Sequence, residues 1–118
     1  MNRSYNEVQI LSDYRHPNGD YRYINIPHET LEAASWDFIR NDLFNVYQLN
    51  DRTIIATQKT IPNSPSLIQN KKLDKNYNVW SKNNRVTVTV TSILQYIKNK
   101  KVAVRTSGKD DRIYIQAI

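Results

Sequence analysis

Apolar residues recur at every second position in several short stretches, the pattern of strands with one covered face and one wet face. Val8-Gln9-Ile10-Leu11 opens the series. Pro17-Asn18-Gly19-Asp20 follows as a turn, because Gly19 supplies positive φ and Pro17 fixes its own. Tyr21 to Ile26 alternates and reads as the return strand. Pro27 then begins a short helix, since the first helical position needs no N–H. Glu29 and Glu32 suit its positive end, and Leu31, Ala34 and Trp36 or Phe38 form its covered stripe. Leu43 to Leu49 and Arg52 to Thr57, joined at Asn50-Asp51, predict a hairpin. The order is β-β-α-β-β.

Residues 61–75 break the rhythm. Pro62, Asn63, Ser64 and Pro65 precede Gln69, Asn70, Lys71 and Lys72, which predicts a linker with at most a short extended piece at Leu67-Ile68. The same order then returns. Tyr77 to Trp80 reads as a strand, Ser81 to Asn84 as a turn, and Arg85 to Val90 as a β-branched strand. Thr91 to Ile97 predicts a short helix capped by Thr91 or Ser92. Lys101 to Arg105 and Arg112 to Gln116 predict a second hairpin around a Ser107–Asp111 loop. The chain therefore reads as an internal duplication: a first half at 1–60, a linker at 61–75 and a second half at 76–118. Neither half is large enough to bury its own apolar face, so the two are expected to cover one another. The fold class is mainly β, a β-rich α+β chain of two ββαββ halves interlocked as an intrachain pseudo-dimer.

Composition adds direction. The 118 residues carry a net charge of +6 and have a mean hydropathy of −0.70. Two Trp and eight Tyr still supply a core. The charge is uneven: residues 1–60 hold six basic and eight acidic side chains, residues 61–118 eleven and three. A basic balance of this kind favours a phosphate-rich partner. The absence of Cys excludes disulfides, thiolate metal sites and Cys nucleophiles. Neither a signal core nor a membrane-length apolar run is present, so a cytoplasmic protein with no membrane partner is expected.

Signs of catalysis are thin. His16 and His28 have no carboxylate or second His at metal-ligand spacing, and Asp110-Asp111 reads as a turn pair. With two Gly there is no Gly-rich phosphate loop. No enzyme activity, cofactor, metal or small-molecule substrate is expected. His28 is expected to be a solvated residue at the helix start.

The run Tyr23-Ile24-Asn25-Ile26-Pro27-His28-Glu29-Thr30-Leu31-Glu32-Ala33-Ala34-Ser35-Trp36 resembles the strand-Pro-helix core of AbrB-like (SpoVT/AbrB) swapped-hairpin domains. Asp42 then matches the Asp that opens the family's hairpin. The likeness covers residues 7–58 and extends to 76–117 by pattern. The second copy has Thr89 in place of Pro27 and lacks the Glu; residues 37–41 run longer than usual. Leu31 and Glu32 stand where the family often has Arg. The family's basic residue before the strand is matched by Arg85 in the second copy and by Tyr23, with Arg22 beside it, in the first. The resemblance implies a swapped-hairpin barrel and a DNA-binding regulator or antitoxin whose first hairpin loop faces the partner.

The sites expected to meet double-stranded DNA are Arg15, His16, Asn18, Arg22 and Tyr23 in the first copy, and Lys82, Asn83, Asn84 and Arg85 in the second, with Lys98 after the second helix. Arg can pair bidentately with guanine and Asn with adenine, while Lys serves phosphate. Lys98, Asn99, Lys100 and Lys101 also suit the negative end of the helix before them. The function expected is a transcriptional repressor of a plasmid, phage or conjugative element, with self-association of whole chains left open. The alternatives are an antitoxin-type protein-binding module, a single-strand or RNA binder using the Tyr rings, and a pair of winged-helix units.

Overall fold

The structure, a computed structural model, describes residues 5–12, 22–37, 43–61, 66–72, 86–107 and 110–118. Nine strands and two short helices are present among them. The strands are β1 (Tyr5–Gln9), β2 (Leu11–Ser12), β3 (Arg22–Ile26), β4 (Leu43–Asn50), β5 (Thr53–Thr57), β6 (Ser66–Lys72), β7 (Val86–Thr89), β8 (Lys101–Thr106) and β9 (Ile113–Ala117). Helix α1 covers His28–Ala33, and a 3-10 helix covers Thr91–Tyr96. The mainly β class expected from the alternation is what forms. None of the helices is long and apolar enough to cross a membrane.

The strands make two layers. One sheet has six strands in the order β1-β8-β9-β5-β4-β6, the other three in the order β2-β3-β7. Every pairing is antiparallel. Alternation sends Ile24, Ile26, Val86 and Val88 of the small sheet inward, against Val46, Ile54, Val104, Ile113 and Ile115 of the large one, and all are buried. Leu31, Trp36 and Ile93 bring the two helices into the same core. Each such side chain stabilises the fold by about 1.5–3 kcal/mol over its exposed state.

The hydrogen-bonded ladders join residues far apart in sequence. β1 pairs with β8, so that Tyr5 lies opposite Arg105. β3 pairs with β7 through Ile24 opposite Val88, β5 with β9 through Ile54 opposite Ile115, and β6 with β4 through Asn70 opposite Asn45.

Four expectations change. The barrel does not close: among the described residues the large sheet ends in two edges, β1 and β6. At Ile10 the chain leaves the large sheet, its N–H bonding the Lys100 carbonyl at 2.9 Å, and continues as β2 of the small one. The layers are thus joined by chain crossings rather than by a continuous ladder. The segment 61–75 is not all linker, because Ser66–Lys72 is a seven-residue edge strand on β4. Pro27 sits at the cap rather than inside α1; its carbonyl accepts from Thr30 and Leu31 N–H at 3.0 and 3.2 Å. The second helix is 3-10, and Thr91 and Ser92 do not cap it. Their hydroxyls are drawn elsewhere, Ser92 to Gln48 at 2.7 Å and Thr91 to the Arg22 backbone.

Helix α1 ends on a Schellman turn. Ser35 N–H bonds the Glu32 carbonyl at 3.0 Å and Trp36 N–H the Leu31 carbonyl at 3.1 Å. Ser35 takes φ 58 there, a left-handed conformation that favours Gly. Trp36 consequently turns into the core and stacks at a tilt on Phe44, centroids 5.5 Å apart. Its indole N–H donates to the Asp111 carbonyl at 2.6 Å. Trp36 fills the stripe position that the sequence shares between it and Phe38; Phe38 lies outside the described residues.

Candidate nucleic-acid interface

Arg22 begins the middle strand of the small sheet. Its backbone is gripped from the second half of the chain. The Arg22 N–H donates to Thr91 Oγ1 at 3.2 Å, and its carbonyl accepts from Val90 N–H at 2.9 Å and from the Thr89 hydroxyl at 3.2 Å. Arg22 shares the inward parity of Ile24 and Ile26, one step past the end of the buried core. Its side chain therefore falls at the open mouth between the two sheets.

A hollow of about 330 Å³ lies at that mouth, lined by Ile10, Arg22, Leu94, Ile97, Lys98 and Lys100. Ile10 and Ile97 pack against the core from one side, so the floor is apolar. Three cations form the rim, and among the described residues no acidic side chain lines it. Lys98 and Lys100 are exposed. Lys100 holds φ 60, a left-handed value that a non-Gly residue adopts at a cost of about 1–2 kcal/mol. That conformation aims its carbonyl at Ile10 N–H and lets the chain enter β8 directly from the rim.

Arg22 and Lys98, both expected from the sequence, are thus brought to one hollow across 75 intervening residues. Tyr23 is half-buried on the opposite face of the small sheet, opposite Leu11 and Thr89. It shares that polar face with Asn25, Thr87 and Thr89, where the Thr87 hydroxyl donates to Asn25 Oδ1 at 2.9 Å. The other expected residues, Arg15, His16, Asn18, Lys82, Asn83, Asn84 and Arg85, lie outside the described residues, as do Tyr77 and Trp80. The ends of β2, β3, β6 and β7 mark where the described chain breaks off on either side of both expected turns: Ser12 and Arg22 for the first, Lys72 and Val86 for the second.

Other candidates are absorbed by structure. The Asp111 carboxylate accepts the Thr57 hydroxyl at 2.5 Å and Gln58 N–H at 2.7 Å. Asp110 accepts the Ser107 hydroxyl at 2.7 Å and Arg112 N–H at 3.0 Å, which holds its carboxyl below the usual value of 3.8. The turn reading holds for Asp110, whereas Asp111 is a buried anchor for the end of the first hairpin. His28 departs from expectation: its side chain is only 17% exposed, and its Nε2 lies 3.4 Å from the carboxylate of Glu32 one turn later. Three Tyr rings are also committed. Tyr47 is buried, Tyr96 lies under Arg52 at 4.9 Å, and Tyr114 under Arg105 at 4.7 Å.

The sequence marked Arg22 as a basic residue of the first expected hairpin and Lys98 as a cation after the second helix. It did not single out Lys100 from its neighbours, nor Ile10, Leu94 and Ile97 as a floor. Only the break between β1 and β2 and the position of the 3-10 helix put these residues together. No family model, no curated protein and no solved structure matches this chain.

Proposed function

We propose that this chain is a small double-stranded DNA-binding protein, a transcriptional regulator built from two AbrB-like halves interlocked within one polypeptide. Two features support the interlocked reading. The strand order β1-β8-β9-β5-β4-β6 returns to itself, reversed, when β1, β4 and β5 are exchanged with β6, β8 and β9. The inward residues at the centre are equivalent too, with Ile24 and Ile26 meeting Val88 and Val86.

The observation that carries the functional reading is the convergence of Arg22, Lys98 and Lys100 on one rim, with no acidic side chain beside them among the described residues. A rim of this kind contacts backbone phosphates, which give affinity and register without reading sequence. Discrimination falls to Arg15, Asn18, Asn83, Asn84 and Arg85, whose side chains match base edges in the major groove. Regulation would follow by occlusion, the bound protein blocking access to a promoter or operator.

Gel-shift titration of the protein on its own upstream duplex across a salt series tests the proposal. Affinity should fall steeply with salt, and Arg22→Ala combined with Lys98→Ala should flatten the logarithmic slope by about one unit per lost phosphate contact. A salt-independent affinity, or an unchanged slope in a folded double variant, defeats it.

A further inference from the structure

A rim that met only phosphate would need no cavity behind it. Here the three cations surround a depression of about 330 Å³ whose floor is Ile10, Leu94 and Ile97. That volume stands at the lower end of the range for small-molecule sites, which pair an apolar lining with a few convergent polar groups. Ile10 and Ile97 are partly buried hydrophobic residues packed on the core, and Leu94 is half-covered. The floor is thus the exposed end of the interior between the sheets. A ligand with an apolar body would cover it, while its anionic group met Arg22, Lys98 and Lys100.

We infer that this hollow is a binding site for a small organic phosphate, an anion joined to a flat or compact apolar body, which occupies the rim in competition with a DNA backbone. The competition rests on the DNA-binding reading above; the ligand site does not. Inorganic phosphate would satisfy the rim and leave the floor wet. An apolar alcohol would cover the floor and leave the cations to water. Only a molecule with both parts uses the whole hollow.

The test is an NMR titration of the full chain, following the backbone amides of Ile10, Leu94, Ile97, Lys98 and Lys100 with phenyl phosphate, inorganic phosphate and benzyl alcohol as probes. Phenyl phosphate should shift these amides together and bind at least about tenfold more tightly than either of the other two. Lys98→Gln with Lys100→Gly should remove that advantage; Gly is tolerated at φ 60, so the fold is retained. Equal affinities for phenyl and inorganic phosphate, or shifts scattered away from the hollow, overturn the inference. Gel shifts with added phenyl phosphate then separate the two claims. Localised ligand binding without any duplex binding removes the regulator reading and leaves the site standing. Duplex binding unaffected by saturating phenyl phosphate removes the competition.

Discussion

Replacing Asp111 tests whether one buried carboxylate ties the β8–β9 hairpin to the end of the β4–β5 hairpin. Asp111 is 8% exposed and follows the loop of the second hairpin. Its two oxygens serve the end of the first hairpin, taking the Thr57 hydroxyl at 2.5 Å and Gln58 N–H at 2.7 Å. Asp111→Ala removes both acceptors and leaves a buried hydroxyl and a half-buried amide. A hydrogen bond to a charged group is worth about 1.5–3 kcal/mol. Thr57 Oγ1 keeps its bond from Lys59 N–H at 3.0 Å, and Gln58 has some access to water, so the two losses do not sum in full. The expected cost is about 2–4 kcal/mol, a large share of the roughly 5–15 kcal/mol that holds a domain of this size together. Asp111→Asn keeps one acceptor and should cost about half as much. Thr57→Val alone should cost about 1–2 kcal/mol, and much less in the Asp111→Ala background, since the partner is already gone. Urea denaturation of the parent and the four variants at constant m-value, with all but Asp111→Asn read as a double-mutant cycle, measures all of this. An Asp111→Ala variant within about 0.5 kcal/mol of the parent would refute the reasoning.

Three further outcomes are expected. Ser35→Gly should raise stability by about 0.5–1 kcal/mol, because it relieves the left-handed strain at the Schellman turn, and a melting temperature that falls would contradict the cap geometry. The folded state favours ionised Asp110, through the Ser107 hydroxyl first and Arg112 N–H second, so its contribution is present above the usual value of 3.8 and lost as pH falls through the lower folded value. A carboxyl-carbon NMR titration should show Ser107→Ala moving the midpoint upward; an unmoved midpoint would discard that hydroxyl as the cause. A protease site engineered at Ser64 should give, after cleavage, two fragments that elute together in native size exclusion, because four strand pairings cross the cut. Separately eluting, folded fragments would argue that each half stands alone.

The hairpins were legible because both rest on plain alternation. Val46, Ile54, Val104 and Ile115 face inward wherever the period of two puts them. β6 was hidden for a physical reason. As an edge strand over β4 it needs few apolar residues, and Leu67 and Ile68 sit among Ser, Gln, Asn and Lys. Its ladder bonds come from the backbone, which composition does not display. The Asp111 anchor was equally hidden, since an Asp beside a Gly-containing loop reads as a turn residue, and only the β5–β9 pairing carries it to Thr57. Of the site, charge and place in the expected elements identified Arg22 and Lys98, while their meeting depended on Thr89 and Thr91 seizing the Arg22 backbone.

The pairing of Tyr5 with Arg105 has a consequence for biosynthesis. β1 finds its neighbour only after a hundred further residues have been made. Until then β1 has an open ladder on both sides, and the apolar faces of β3 and β5 wait for β7 and β9. Such long-range closure is slow and leaves sticky intermediates. Nascent chains of this protein should therefore be clients of holding chaperones, and a translational pause inside the second hairpin should lower the yield of native product more than one inside the first.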